Sequence, residues 1–153
     1  MLTYRAPSQA SAATAWELFA RPSRWSEWAP HVRGAWGLGD PEVEPGRRGA
    51  VRLLGALPVP AHVKAKRTGR SWSWKVGPVE MVHRVEKLPD GCMVALDVLA
   101  PGPLEAVIRR TYGPVIRLML RNLARVAARV EEAEPGEPPA RATPGGGVAG
   151  SRR

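Results

Sequence analysis

The side chains in this sequence best suited to act on another molecule are His83, Tyr112 and the pair Trp72 and Trp74; His31 and His62 are the other two histidines. An imidazole titrates near neutral pH and can orient a carbonyl or accept a proton. His83 alternates with Met81 and Val85, which places it on the apolar side of a strand, where it serves either as such a group or as a hydrogen-bonded core residue. Trp72 and Trp74 are separated by Ser73, so both indoles share one face and are able to stack on a flat molecule or to pack in a core. The three histidines are too scattered to read as a metal site. No Walker loop, nucleophile elbow, paired-carboxylate signature or helical histidine pair is present. Cys92 is the single cysteine, which excludes an internal disulfide and a Cys-based zinc cage. No cofactor and no metal are expected.

These side chains need elements to hold them. Leu2 and Tyr4 alternate with polar neighbours, as in a short first strand ended by Pro7. Ser8 is then placed to cap a helix whose Ala12, Ala15, Trp16, Phe19 and Ala20 share one side, and Pro22 closes it. Ser23 opens a second, shorter helix that sets Trp25 and Trp28 on one face before Pro30; these indoles are expected to plug the end of a sheet, with Trp16 beside them. Alternating side chains predict strands over 31–38, 48–57, 59–67, 70–76, 79–88 and 92–99. The intervening Gly, Pro and Asp residues, such as Pro89-Asp90-Gly91, supply tight reversals, so the strands form an antiparallel meander. Val59, Ala61, Val63 and Ala65 fall on one face and His62, Lys64 and Lys66 on the other, giving a sheet with one dry side.

The dry side needs a cover. From Leu104 to Glu132 the period becomes helical, and Ile108, Tyr112, Val115, Met119, Leu123, Val126 and Val130 form an apolar stripe. Gly113-Pro114 predicts a kink, since proline removes a helical hydrogen bond and clashes with the preceding turn. From Pro114 to Val130 the helix is roughly 25 Å long, which matches the roughly 23 Å span of a seven-residue strand. Ala61 and Ala65 are small where a filled core favours larger side chains, so either a pocket or a collapsed solid core lies between the layers. The side chains expected to contact a ligand there are Ala61, Val63, Ala65, Trp72, Trp74, Met81, His83, Val85, Leu96, Ile108, Tyr112, Val115 and Met119. Tyr112 is expected at the mouth of the cavity beside His83. If the protein catalyses a reaction, His83 and Tyr112 are the candidates for moving a proton.

The 153 residues suit one domain, expected over 1–132, with a Pro/Gly-rich segment over 133–153 that holds too little apolar pattern to order. The formal charge of +9 invites an anionic partner. Arg117, Arg121, Arg125 and Arg129 recur every four residues and form a ridge beside the apolar stripe, read either as a solvated face or as a transient contact with an acidic surface. No aromatic residue interleaves the ridge, which argues against nucleic acid as a partner. No apolar run approaches the length of a transmembrane helix and the first residues lack an apolar leader, so a cytoplasmic location is expected.

Ala6-Pro7 before a helix with Trp16, then Arg24-Trp25 with Trp28 and Pro30, Trp72-Ser73-Trp74, His83-Arg84-Val85-Glu86, Leu88-Pro89-Asp90-Gly91 and a long final helix follow one another in that order. This succession resembles the SRPBCC superfamily, which includes START-like, pollen-allergen-like and polyketide cyclase/dehydrase-like proteins. The resemblance implies an α+β helix-grip fold: a curved antiparallel sheet of six to seven strands wrapped around a long C-terminal helix, with a short helix pair after the first strand. It further implies a cavity between sheet and helix that holds a small hydrophobic ligand, used for binding or carriage in most relatives and for cyclisation or dehydration in a few.

Overall fold

A computed structural model describes residues 1–53 and 58–134. Seven strands form one antiparallel sheet: β1 (Leu2–Ser8), β2 (Val32–Trp36), β3 (Arg48–Leu53), β4 (Pro58–Arg67), β5 (Ser71–Val76), β6 (Val79–Leu88) and β7 (Gly91–Leu99). Their spatial order is β1-β7-β6-β5-β4-β3-β2, so β2 to β7 are a meander and β1 adds to its far edge. Between β1 and β2 lie helix α1 (Ala12–Ala20) and a 3-10 helix (Pro22–Glu27); after β7 come α2 (Gly102–Thr111) and α3 (Gly113–Ala133). The expected α+β arrangement, a sheet gripping a long terminal helix, is the one observed.

Local details depart from the expectation where tertiary contacts outweigh local signals. Strand β1 continues through Pro7, which an edge strand tolerates because one side of its backbone needs no ladder partner. Ser11, not Ser8, caps α1 by accepting from the Thr14 backbone N–H, while the Ser8 hydroxyl donates to the Ala124 carbonyl on α3 at 2.7 Å. Pro22 does not merely end α1; it starts the 3-10 helix, where its missing N–H costs nothing. The part of the expected strand at 54–57 and the tail from 135 onward lie outside the described residues, and α3 extends to Ala133, past the expected boundary at 132.

A bulge corrects the expected face of Ala65. Val63 pairs with Trp74 and Ala65 with Ser73, leaving Lys64 as an extra residue on β4. One extra residue reverses the alternation beyond it. Ala61 and Val63 therefore stay buried, Ala65 is exposed, and Lys66 turns toward Glu42, with which it forms an ion pair at 2.8 Å. The apolar stripe of the terminal helix is likewise rotated. Ile116, Leu120, Ala124 and Ala127 are buried together with the expected Met119 and Leu123, whereas Val115, Val126 and Val130 are only half-buried. Ala124 marks where the helix meets β1, its carbonyl accepting the Ser8 hydroxyl.

The junction of α2 and α3 depends on a close approach rather than on flexibility. Backbone bonds from Tyr112 to the Ile108 carbonyl and from Ile116 to the Tyr112 carbonyl carry the helical path past Gly113. A Cβ at Gly113 would sit 2.6 Å from the hydroxyl of the buried Tyr4. Gly to Ala normally favours a helix by about 1 kcal/mol. Here Gly113→Ala is expected to destabilise by about 1–3 kcal/mol, the cost of overpacking. Tyr4→Phe, which removes the offending oxygen, should recover much of that loss. Urea unfolding of the two single variants and the double variant checks this; additive effects would contradict it.

Candidate functional site

Between the inner face of the sheet and the helices lies a cavity of about 320 Å³, at the lower end of the range for small-molecule sites. Of the thirteen positions expected to contact a ligand, Trp72, Trp74, Met81, His83, Leu96, Ile108, Tyr112 and Met119 line it. Ala61, Val63 and Val85 are buried in the inner layer of the sheet but do not line the cavity, Val115 packs half-buried against the core, and Ala65 is exposed. The room between the layers is therefore not made by the small Ala61 and Ala65.

The 3-10 helix forms one wall. Trp25 donates its indole N–H to the Phe19 carbonyl at 3.0 Å, and Trp28 donates to the Leu18 carbonyl at 3.0 Å. Both indoles are thus pinned to the end of α1 and line the cavity as well as closing the end of the sheet. Trp16, grouped with them from the sequence, instead donates to the Glu42 carboxylate at 3.2 Å and does not line the cavity. Their three-residue spacing was the available signal for a shared face, but local pattern cannot say which face the cavity takes. Another part of the wall belongs to α2. This helix buries no residue fully, and only Leu104 and Ile108 turn their half-buried side chains onto the cavity.

His83 sits at the centre of an aromatic cluster. Its ring stacks on Trp72 at 3.7 Å between centroids with an interplanar angle of 2°, and Phe19 and Trp74 meet it edge-on at 5.1 and 5.7 Å. Trp72 is covered on its other side by Trp25, 5.6 Å away and nearly parallel. Burial lowers the His83 pKa to about 3, opposed by the Trp72 backbone, so the ring is neutral over the physiological range. A group that holds its proton so weakly is a poor general base near pH 7.

The expected partnership of Tyr112 with His83 gives way to another. The Tyr112 hydroxyl lies 3.0 Å from Nε2 of His31 and is hydrogen-bonded to it. Both residues line the cavity, across 81 positions of sequence. Burial lowers the His31 pKa and raises that of Tyr112, which keeps both groups neutral. His31 escaped notice because nothing in its neighbourhood along the chain points to Tyr112; only folding brings the loop before β2 against the α2–α3 junction. The four arginines of the ridge, Arg117, Arg121, Arg125 and Arg129, are all exposed on α3, and Arg117 lies over the Tyr4 ring at 5.4 Å. Among the described residues, no three His, Cys, Asp or Glu side chains gather closely enough to hold a metal ion, and no helix is long and apolar enough to cross a membrane.

The architecture is shared with solved structures of low sequence identity. A protein from Thermobifida fusca superposes with a TM-score of 0.71 at 18% identity, covering 85% of this chain and 94% of that one. A START superfamily protein from Mycobacterium smegmatis gives a TM-score of 0.58 at 16% identity, over 82% of this chain and 94% of the other. The polyketide-cyclase-like protein Cgl2372 from Corynebacterium glutamicum gives 0.58 at 15% identity, over 89% and 96%. At these identities the likeness shows the fold alone. A search of curated proteins returned no match. The family model described as polyketide cyclase/dehydrase and lipid transport, however, matches residues 2–128, most of the chain, and with the sheet gripping its terminal helix it establishes that this protein belongs to that family, within the SRPBCC superfamily.

Proposed function

We propose that this protein is a binding or carrier domain that holds one small hydrophobic or aromatic molecule between its sheet and its helices. The observation that carries the reading is the cavity itself: about 320 Å³ enclosed almost wholly by apolar and aromatic side chains and closed on one side by the lightly packed α2. Burial of a ligand's apolar surface there supplies affinity at roughly 25 cal/mol per Å² before association costs. The hydrogen-bonded His31 and Tyr112 provide a polar end against which a ligand can be oriented.

Mass spectrometry of organic extracts from the purified protein, followed by calorimetric titration of the compound found, tests this. Ile108→Trp places a larger ring at a half-buried position on the cavity wall. It is expected to weaken binding at least tenfold with an unchanged unfolding midpoint. Unaltered affinity in this variant would show that the ligand binds elsewhere.

A second reading, an enzyme of the polyketide cyclase or dehydratase type, draws on His31 and Tyr112, a hydrogen-bonded pair of titratable groups on the cavity wall. In that reading His31 and Tyr112, rather than His83, move the proton of a bound substrate. Loss of turnover in Tyr112→Phe with retained binding separates the enzyme from the carrier.

A further inference from the structure

The outer side of the two C-terminal helices concentrates the positive charge of the chain. Residues 106–130 hold six arginines and no acidic side chain, so this segment supplies six of the nine net positive charges. Arg109, Arg110, Arg117, Arg121, Arg125 and Arg129 are all exposed, and none forms an ion pair among the described residues. The acidic residues flanking the segment are turned elsewhere: Glu105 pairs with the Met1 amino group at 2.7 Å, and Glu131 accepts from the Ser11 backbone N–H. Among the arginines stand Val107 and Leu118, each more than half exposed; of the large apolar side chains of the described residues only Met1 is more exposed. Leu118, Arg121, Arg125 and Arg129 fall at i, i+3, i+7 and i+11, on one face of α3. Val107 lies about three turns before Leu118, and the helical path past Gly113 keeps both on the solvent side.

We propose that this face docks the protein on the surface of a bilayer containing anionic phospholipids, with Leu118 and Val107 entering between headgroups and the arginines holding the phosphates. The inference goes beyond the binding reading and does not depend on what the cavity holds. Guanidinium suits phosphate because its planar fork donates two hydrogen bonds at once. Each basic residue brought to an anionic leaflet strengthens the contact about fivefold. An arginine stem also lies well along apolar surface while its charged head stays with the phosphates. From Pro114 to Arg129 the helix presents these groups along about 22 Å. The apolar side chains favour a bilayer over other anionic partners. A nucleic-acid backbone attracts the arginines but offers Val107 and Leu118 nothing apolar to enter. A protein interface gathers its apolar side chains into a contiguous centre with charge at the rim, whereas here each stands apart among arginines. A headgroup layer accepts such isolated apolar side chains.

Co-sedimentation of the full chain with vesicles tests this. Phosphatidylcholine vesicles containing about 30% phosphatidylglycerol should bind it at least tenfold more tightly than phosphatidylcholine alone. Most of that binding should be lost as salt rises from about 0.05 to about 0.5 M. The double variant Arg121→Gln/Arg125→Gln alters exposed positions outside any ion pair, and should weaken binding to the anionic vesicles at least tenfold with an unchanged urea midpoint. Leu118→Gln should weaken it at least threefold while leaving attraction to a DNA duplex unaltered. Equal binding to neutral and anionic vesicles, or undiminished affinity in the arginine variant, would place the contact elsewhere and overturn the inference. Unchanged affinity in Leu118→Gln, or a DNA duplex bound more tightly than the anionic vesicles, would show attraction to charge alone and overturn it as well. Failure to bind either vesicle would overturn it too and return the ridge to a solvated face. All of these outcomes leave the cavity reading intact, because the substituted side chains do not line the cavity.

Discussion

Trp72→Ala is expected to remove about 3–5 kcal/mol of stability, the range for truncating a large core aromatic. Few positions in this fold unite as many layers. Trp72 is 2% exposed. It stands on β5 and pairs across the strands with His83 on β6. One ring face stacks on that histidine and the other on Trp25 of the 3-10 helix, so a single indole joins sheet to helix hairpin. Each aromatic pair adds about 0.5–1.5 kcal/mol beyond the burial of area, and alanine would forfeit both stacks as well as leave a void. Domains of this size keep only about 5–15 kcal/mol in total, so the variant should show a sharply lowered urea midpoint or a loss of cooperative unfolding. A cost below about 1 kcal/mol, far under the core range, would mean that the stack does not hold the hairpin to the sheet.

Stability is expected to fall steeply as the solution is acidified from pH 6.5 toward pH 3, and His83 is expected to be a principal cause. The unfolded chain takes up a proton on this histidine near its ordinary value of 6.5, whereas burial delays uptake in the folded protein to about 3. Between those values the unfolded state binds the additional proton, so its share of the equilibrium grows as pH falls. The stabilisation is fully present above 6.5 and is lost at a rate approaching about 1.4 kcal/mol per pH unit. That is about 2 kcal/mol by pH 5, with an upper bound of about 5 kcal/mol over the whole window. His31, whose pKa burial also lowers, adds a contribution of the same sign. Asp97 acts lower on the scale. Burial tends to raise its pKa, but hydrogen bonds from Arg84 and Thr3 outweigh this and hold it low, so its contribution is present above the ordinary carboxylate range and is lost as pH falls through its folded value. His83→Phe preserves a flat ring on Trp72 and removes the titrating group. Urea unfolding at pH 7, 6 and 5 should give a distinctly shallower loss in this variant than in the parent. An identical slope would exclude His83 as the source.

The order of elements and the layering were legible in the sequence because they rest on periodic signals. Strand β6, at Val79–Leu88, follows its alternation to the residue. The β6–β7 reversal runs over Pro89 and Asp90 and closes on Gly91, whose positive φ of 150° and close approach to the Ser8 carbonyl admit no side chain. The helical period after Leu104 likewise announced a cover for the sheet, and Gly113-Pro114 announced its break. Eight of the thirteen positions expected to face a ligand line the cavity for this reason: alternation and helical spacing say which side chains share a face.

Pattern along the chain does not say how faces meet. One extra residue at Lys64 turned Ala65 outward, and alternation carries no mark of a bulge that its neighbouring strand imposes. The terminal helix rotated so that Ala124 and Ala127 are buried and the Ala124 carbonyl meets Ser8 of β1, a choice made by the shape of its partners and not by its own period. The pairing of Tyr112 with His31 joins a helix junction to a loop far away in sequence, and the stack of Trp25, Trp72 and His83 forms only once the 3-10 helix meets the sheet. Periodicity is a property of neighbours in sequence and can be read there. Register, rotation and the polar contacts of a cavity come from neighbours in space, and they exist only after the layers have packed.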